Sequence, residues 1–449
     1  MTEPTTNLMN DLRTLLAQGE EEALQIFLRL VRPQDVADWL DLLSADDRQK
    51  VLQALDHDAA GTVLNDTTAS IRAELVEDLG PDRLARIAEA LPADDAADLI
   101  GELAAADSEA VLKHVSDTDE AVLRGLLAYA DDTAGGIMTP DVVALTPDTT
   151  VDVAIEHLRS AQPEAVIASL YVVDAARHLL GFVRLRRLVT ARPTKTLGDI
   201  MSDDVISVPV GADQEDVAAL VEKYDFIAVP VVDGRNRLLG AVTVDDVIDV
   251  ISEEASEDIY KMAGSSVAEE ESESILHIAR YRLPWLLICL AGTQLSTSVL
   301  QLAKGHVSMY EQMSVFTAAI MAMAGNTSLQ SATTTVRRLA VDTLPRSRFG
   351  QHVRREISVA LLMGLVCGVV AAGIGTVVGH DSMIGVALGS AMALAMSAAS
   401  LFGSGMPLIL EVVGVDPAVA SGPLVSTIND SLALALYFSV ATAILYLIA

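Results

Sequence analysis

The sequence predicts a multidomain chain: an all-α N-terminal superhelical domain, a tandem of small α/β domains, and an α-helical membrane domain of five spans. Three observations predict it. Of 30 basic and 62 acidic side chains in 449 residues, nine basic and seven acidic fall from Ser274 onward, leaving 21 and 55 before it, a net of −34. An internal repeat relates Ile137–Val189 to Ile200–Ile248. Beyond Arg282 the chain is rich in Ala, Leu, Val, Met and Gly, in stretches long enough to cross a bilayer core that needs about 20 apolar residues. The acidic balance argues against nucleic acid, whose phosphates it repels, and for cations; a plainly solvated surface explains an acid excess equally well. Cys289 and Cys367 lie in apolar segments and read as small buried hydrophobes. The opening MTEPTTNLMNDLRTLL lacks a basic region followed by an apolar core, so no signal peptide is expected and the membrane part inserts by its own spans.

The N-terminal domain, residues 1–131, reads as a string of short helices. Apolar residues recur three or four apart, and starts such as Ser44-Ala-Asp46-Asp47, Gly80-Pro81-Asp82 and Pro92-Ala-Asp94-Asp95 put caps, proline and acids in the first turn. The helix dipole accounts for acids at helix starts, so position alone gives none of them a function.

In the repeat, each copy orders a short strand, an amphipathic helix, a strand ending in Val-Val-Asp, a turn, a strand and a helix. Units this thin must pack as a pair. They resemble tandem CBS domains, with the first at 132–199 and the second at 200–250. A helix-prone connector, 251–279, follows. Asp246, Asp249, Glu253, Glu254, Glu257 and Asp258 recur at three- and four-residue spacing across its start. Like charges on one stripe repel. A bound divalent cation relieves them, and that reading is preferred over plain solvation because the stripe directly precedes a membrane domain.

The membrane domain, 280–449, is read as spans near Pro284–Ala303, Ser314–Leu339, Ile357–Gly379, Met383–Val413 and Pro423–Ile448. Arg280 and Arg282 before the first span, and Arg337, Arg338, Arg346, Arg348, Arg354 and Arg355 between the second and third, mark the cytoplasmic side. The expected protein is multi-pass in the plasma membrane, with its N-terminus inside and its C-terminus outside. Two spans are polar: the second carries Gly325, Asn326, Thr327, Gln330 and Ser331, the fifth Ser426, Thr427, Asn429 and Asp430. Hydroxyls and amides suit interhelical contacts, and Gly325 a close approach. Asp430 is different. An ionised acid in hydrocarbon costs several kcal/mol, and no Lys or Arg lies in the apolar body of these spans to pair with it, Arg337 and Arg338 standing at the cytoplasmic end of the second. It needs a cation, either an ion in transit or a proton.

At this point the chain resembles the MgtE family of magnesium channels and transporters, end to end. The most specific matches are DTAGGIMTP at Asp132–Pro140, GNTSLQSAT at Gly325–Thr333 and GVDPAVASGPLVSTIND at Gly414–Asp430. The resemblance implies a homodimer in the bilayer with its pore on the dimer axis, Asp430 as main ion site, Gly325, Asn326, Gln330, Thr427 and Asn429 lining it, and Asp416 as a further metal ligand. It implies regulatory Mg2+ ligands at Asp94, Asp98, Asp213, Glu215, Asp225, Asp246, Asp249, Glu254, Glu257 and Asp258. Bound Mg2+ then locks the closed state, and falling cytosolic Mg2+ releases the pore. ATP is implied at the CBS domains, with Phe226, Thr243 and Asp246 as candidate contacts; the first domain has Arg187 where the second has Asp246. Leu329 and Gly422 stand where the family pattern has amides, which puts Mg2+ selectivity in question. Alternatives are Mn2+ or Co2+ transport, coupling to another ion, and a CBS sensor with a membrane anchor. An enzyme is not expected: His57, His114 and His157 lack metal-ligand spacing, and no Gly-Lys-Ser/Thr phosphate loop is present.

Overall fold

The computed structural model describes residues 3–160, 169–266, 275–306, 310–340 and 344–448. They form two compact units, Met1–Glu253 and Glu254–Ala449.

The first unit opens with helices α1 (Glu3–Gln18), α2 (Glu21–Leu28), α3 (Pro33–Leu40), α4 (Ala45–Ala54), α5 (His57–Asp66), α6 (Ala69–Glu77), α7 (Pro81–Ala88), α8 (Ala93–Gly101), α9 (Ala105–Leu112) and α10 (Asp117–Leu126). Their starts follow the local chemistry. Ser44, Asp56 and Ser116 each accept a backbone N–H from the first turn, and Pro33 and Pro81 open helices where no donor is needed. Alternate helices stack, α3 on α5, α5 on α7 and α7 on α9.

Next come two copies of one α/β unit. The first comprises β1 (Ala144–Leu145), α11 (Val151–Ser160), β2 (Ser169–Val173), β3 (Leu179–Arg184), α12 (Leu185–Thr190) and α13 (Leu197–Ile200). The second has β4 (Val208–Pro209), α14 (Gln214–Tyr224), β5 (Ala228–Val232), β6 (Leu238–Thr243) and α15 (Val244–Ala263). Each sheet has one parallel and one antiparallel pairing, with an irregularity at the same place, Val172/Val173 and Val231/Val232. The units pair through their turns: Leu179 N–H donates to Asn236 O at 2.9 Å and Leu238 N–H to Arg177 O at 2.9 Å, and a shared apolar cluster holds Tyr171 and Val173 against Val232 and Leu238.

One continuous core joins the helical domain to the second α/β copy, running from Leu12, Trp39 and Ile100 to Val217, Val229 and Val242. The segment DTAGGIMTP is the strap between them. Ala134 and Gly135 donate to Ala212 O and Val210 O at 2.7 and 2.9 Å. A Cβ on Gly136 would meet Ala130 O at 2.5 Å, so this close approach requires glycine.

The expected connector of 251–279 is shorter as a helix. α15 closes at Ala263, where Gly264 takes φ +72 and Gly264 and Ser265 donate back to Lys261 O and Tyr260 O at 3.1 and 2.9 Å, a Schellman cap. Residues 267–274 lie outside the described residues.

The second unit also contains α16 (Ile275–His306), α17 (Tyr310–Ser314), α18 (Thr317–Ala340), α19 (Phe349–Gly379), α20 (Ser382–Val413) and α21 (Pro423–Ile448). Among the described residues four stretches, on α16, α19, α20 and α21, are long and apolar enough to cross a membrane, so the protein is multi-pass. α19 exposes Leu362, Leu365, Val366, Val369, Val370, Ile374 and Val377, a face suited to lipid rather than water. α18 has 24 residues but is not among the four, because its polar run lowers its hydropathy. It packs on α20 and α21 instead. Glycines bring α19 and α20 together: a Cβ on Gly368 would meet Gly389 O at 2.5 Å, and one on Gly389 would meet Gly368 O at 2.5 Å. A buried polar chain crosses three helices, from His352 Nε2 to Thr335 Oγ1 (2.8 Å), Thr335 to Ser331 O (2.7 Å) and Ser331 to Ser400 (2.7 Å).

Candidate functional site

The carboxylates gather at two places, one in each unit, and Asp430 stands apart from both on α21.

In the first unit, α8 presents Asp94, Asp95 and Asp98 to the start of α15, which carries Asp245, Asp246 and Asp249. Asp94 is 8% exposed, and its Oδ1 has no hydrogen-bond partner. Burial pushes its carboxyl up to about 7, with Asp246 and then Asp95 adding to the rise. Desolvation also raises Asp98 to about 7, followed by repulsion from Asp95, Asp131, Glu102 and Asp246; its residue surface stays exposed, so water and ions reach it. Asp246 is half-buried and lifted to about 6 by desolvation, against a 2.6 Å hydrogen bond from the Thr243 hydroxyl. Asp95 is raised by burial and by Asp66, Asp245 and Asp249, although Asn65 donates to it at 3.1 Å. The charged neighbours acting on Asp94 and Asp98 are all carboxylates. Sequence spacing missed Asp66 and Asp95; the doublet Asp94-Asp95 was the available signal, and the approach of α5 to α15 was not.

Asp213, Glu215 and Asp225 lie elsewhere. Asp213 caps α14 by accepting Glu215 N–H at 2.9 Å, and Asp225 ends the same helix in a left-handed conformation at φ 53. A helix of 11 residues separates its ends by about 16 Å, so Asp213 and Asp225 of one chain cannot share an ion.

In the second unit, the end of α15 carries Glu254, Glu257 and Asp258. The expected uniform acid stripe is broken by a lysine. Lys261 Nζ lies 2.6 Å from Glu257 Oε1 and 2.6 Å from Asp416 Oδ2. Burial works against this ammonium, but hydrogen bonds to Asp416 and Glu257 outweigh it and hold it charged beyond the usual lysine range. Asp416, expected as a metal ligand, is therefore paired with Lys261, and its Oδ1 accepts Ala418 N–H at 2.8 Å. Desolvation pushes Asp258 up to about 6, with Asp416 the next contributor. The i,i+4 spacing of Glu257 and Lys261 was readable in the sequence; Asp416, 155 residues away from Lys261, was not.

Asp430 is half-buried on α21, and a Cβ on Gly325 of α18 would come within 3.9 Å of its Oδ1. Gly325 thus leaves room beside the carboxylate. Asn326, Gln330 and Leu329 form the exposed face of α18, Leu329 at 48% exposure. Two expected lining residues turn the other way. Asn429 is fully buried within the protomer, with neither amide atom hydrogen-bonded, and Thr427 is buried with its methyl group against Gly292. Ser426, four residues before Asp430, is exposed on the same side of α21. Gly422 packs against the connecting helix: a Cβ there would lie 3.3 Å from Lys261 O and 3.5 Å from Met262 O.

Among the described residues no three His, Cys, Asp or Glu side chains are arranged to hold one ion. The nucleotide candidates are partly engaged. Thr243 is bonded to Asp246, and Phe226 stacks on Tyr224 with ring centroids 5.4 Å apart. A cavity of about 450 Å³ opens instead on the first α/β unit, lined by Phe182, Arg184, Arg186, Arg187, Thr190 and Ser202.

Family profiles match in chain order: the MgtE intracellular N domain over 31–132, CBS domains over 134–193 and 197–253, and MgtE, divalent cation transporter, over 317–440. The magnesium transporter MgtE of Thermus thermophilus is 36% identical over 97% of this chain and 98% of its own length. The chain belongs to the MgtE family. The Enterococcus faecalis magnesium transporter MgtE is 40% identical over 71% of each chain. A crystal structure of the cytosolic domain of the Mg2+ channel MgtE in complex with ATP shares 37% identity, covers 54% of this chain and 99% of its own, and superposes with a TM-score of 0.52. An MgtE protein is a transporter and not an enzyme, and the repeat is its CBS pair.

Proposed function

We propose that this MgtE protein is a homodimeric channel for Mg2+ influx, closed by cytosolic Mg2+ bound at its carboxylate clusters. The observation that carries the regulatory half is Asp94: a buried carboxylate with one unpartnered oxygen, whose charged neighbours Asp246 and Asp95 are carboxylates too. Such a group costs several kcal/mol unless a cation neutralises it. Asp94, Asp98, Asp246 and Asp249, with Asp95 added, are the first regulatory site; Glu254, Glu257, Asp258 and Asp416 are the second. Asp213, Glu215 and Asp225 hold ions only with help from a partner protomer. Mg2+ binds the closed arrangement better and so shifts the population toward it.

Conduction is assigned to Asp430. Two copies facing across a dimer axis hold a hydrated dication through its waters, which suits an ion that dehydrates reluctantly. Asn326, Gln330, Ser426 and the gap at Gly325 line that path. α18 is the fifth span; its polar face is then turned to the pore rather than to lipid. Arginines between α18 and α19 face the cytoplasm, which puts the N-terminus inside and the C-terminus outside the plasma membrane. Domain limits follow as 1–131, 132–199, 200–250, 251–279 and 280–449, with the N-domain helices stacked as a superhelix. ATP is assigned to the CBS pair, where the cavity lined by Arg184, Arg186 and Arg187 offers guanidinium groups suited to phosphate.

The test is uptake into liposomes. Asp430→Ala abolishes Mg2+ entry while the dimer still elutes as the wild type, and Asp430→Asn leaves little. Undiminished uptake by the alanine variant puts the ion path elsewhere. One observation favours a second reading, passage of Mn2+ or Co2+: Leu329 exposes an apolar side chain on the face that carries Asn326 and Gln330.

A further inference from the structure

The second acid cluster already contains a cation, supplied by the chain. Lys261 lies one turn beyond Glu257 on α15, and its ammonium group bridges Glu257 Oε1 and Asp416 Oδ2, both at 2.6 Å. Asp416 opens the loop that leads into α21, the helix carrying Asp430, and its other oxygen caps that loop through Ala418 N–H. The same loop meets the helix end at a second point. Gly422 is buried, and a Cβ there would lie 3.3 Å from the Lys261 carbonyl and 3.5 Å from that of Met262, so the loop packs closely on the helix end. The Schellman cap fixes the first of these carbonyls, Lys261 O accepting Gly264 N–H.

We infer that Lys261 is a tethered counter-ion that clasps the end of the connecting helix to the α20–α21 loop when divalent ions are scarce, and that Mg2+ must displace it from Glu257 and Asp416 to bind there. The inference rests on the proposed Mg2+ regulation and adds the residue that sets its threshold. A monovalent ammonium on a flexible stem neutralises one charge and leaves the rest of the cluster repelling. A dication neutralises two, so it wins only above a concentration set by how firmly the lysine is held. When a clasped form dominates, apparent affinity falls in proportion to the free fraction. Lys261 therefore keeps the site from filling at low Mg2+ while holding helix and loop in register.

The experiment is hydrogen–deuterium exchange of the amides in 254–264, in the purified full-length protein, titrated with MgCl2 alone. Without Mg2+, Lys261→Gln exchanges faster than the wild type because the clasp is gone. Its half-protecting Mg2+ concentration falls by roughly fivefold to tenfold, as expected if the clasp is closed 80–90% of the time. Lys261→Arg restores both behaviours, and Asp416→Asn also speeds ion-free exchange but moves the midpoint upward, since it loses a ligand as well as a clasp. Ion-free exchange equal to wild type in Lys261→Gln overturns the clasp. An unmoved or raised midpoint in that variant overturns the competition. Absence of any Mg2+ protection in the wild type refutes the regulatory reading and the competition with it, while the ion-free comparison still decides the clasp.

Discussion

Asp94 concentrates the electrostatic tension of the first unit. Its carboxyl and that of Asp98 are raised to about 7 by burial first and neighbouring acids second. An unfolded aspartate titrates near 3.9. Between those values the folded state holds more protons than the unfolded one, so stability rises as pH falls from about 7 toward 4 and is lowest above 7. Each unit of displacement is worth about 1.4 kcal/mol, so ionising Asp94 costs the ion-free fold a few kcal/mol. In chelator, the protein unfolds at a lower temperature at pH 8 than at pH 5.5, and Asp94→Asn removes part of the difference. Added Mg2+ raises the pH 8 value most, since the metal replaces the missing proton. A melting temperature independent of pH in chelator contradicts this account of the cluster.

At the scale of elements, α15 and the α19–α20 pair show two ways in which helices are held. α15 carries acids along its length, yet its early acids face α8 and its later ones surround Lys261. A single periodic stripe thus serves two clusters. The α19–α20 pair depends on the absence of side chains, because Gly368 and Gly389 put each other's carbonyls within 2.5 Å of where a Cβ would be. Gly389→Leu forces the helices apart and costs about 2–3 kcal/mol or more, read as a lower thermal midpoint and poor recovery from membranes. Gly373→Leu on α19 is tolerated, since nothing lies within 4 Å of its Cβ position. Equal effects of the two substitutions would mean that the glycine seam does not hold the pair.

For the whole molecule, the division into an acidic part and a membrane part, with the proposed orientation, gives a topology that labelling tests. In a background with Cys289 and Cys367 changed to serine, Ser347→Cys between α18 and α19 stays protected from an impermeant thiol reagent applied outside intact cells. Ala449→Cys reacts. The reverse pattern, Ser347→Cys labelled and Ala449→Cys protected, means an even number of spans and removes α18 from the bilayer, and labelling at both positions means that one of the last three helices does not cross. The arginine-rich link makes the first result the firmer expectation, because six arginines between Arg337 and Arg355 strongly resist translocation.

Much of this was legible in the chain. The period of apolar residues and the helix-start chemistry at Ser44 and Pro81 are local properties, and they set the helices. The Val-Val-Asp repeat set two matching sheets, and long apolar stretches set the four helices of membrane-crossing length. Asp430 stood out by cost alone, since an acid in an apolar helix is unfavourable without a cation. Which acids meet was decided only by tertiary structure. Asp66 and Asp95 reach Asp249 because the N-terminal helices and the second CBS unit share one core. Asp416 meets Lys261 although 155 residues separate them. Thr427 and Asn429 turn inward while Ser426 and Asp430 do not, a matter of how α21 is rotated against its neighbours. Local sequence fixes dihedral preferences and burial tendencies, which act over a few residues. Charge pairing and helix rotation depend on distances that exist only once the cores have closed.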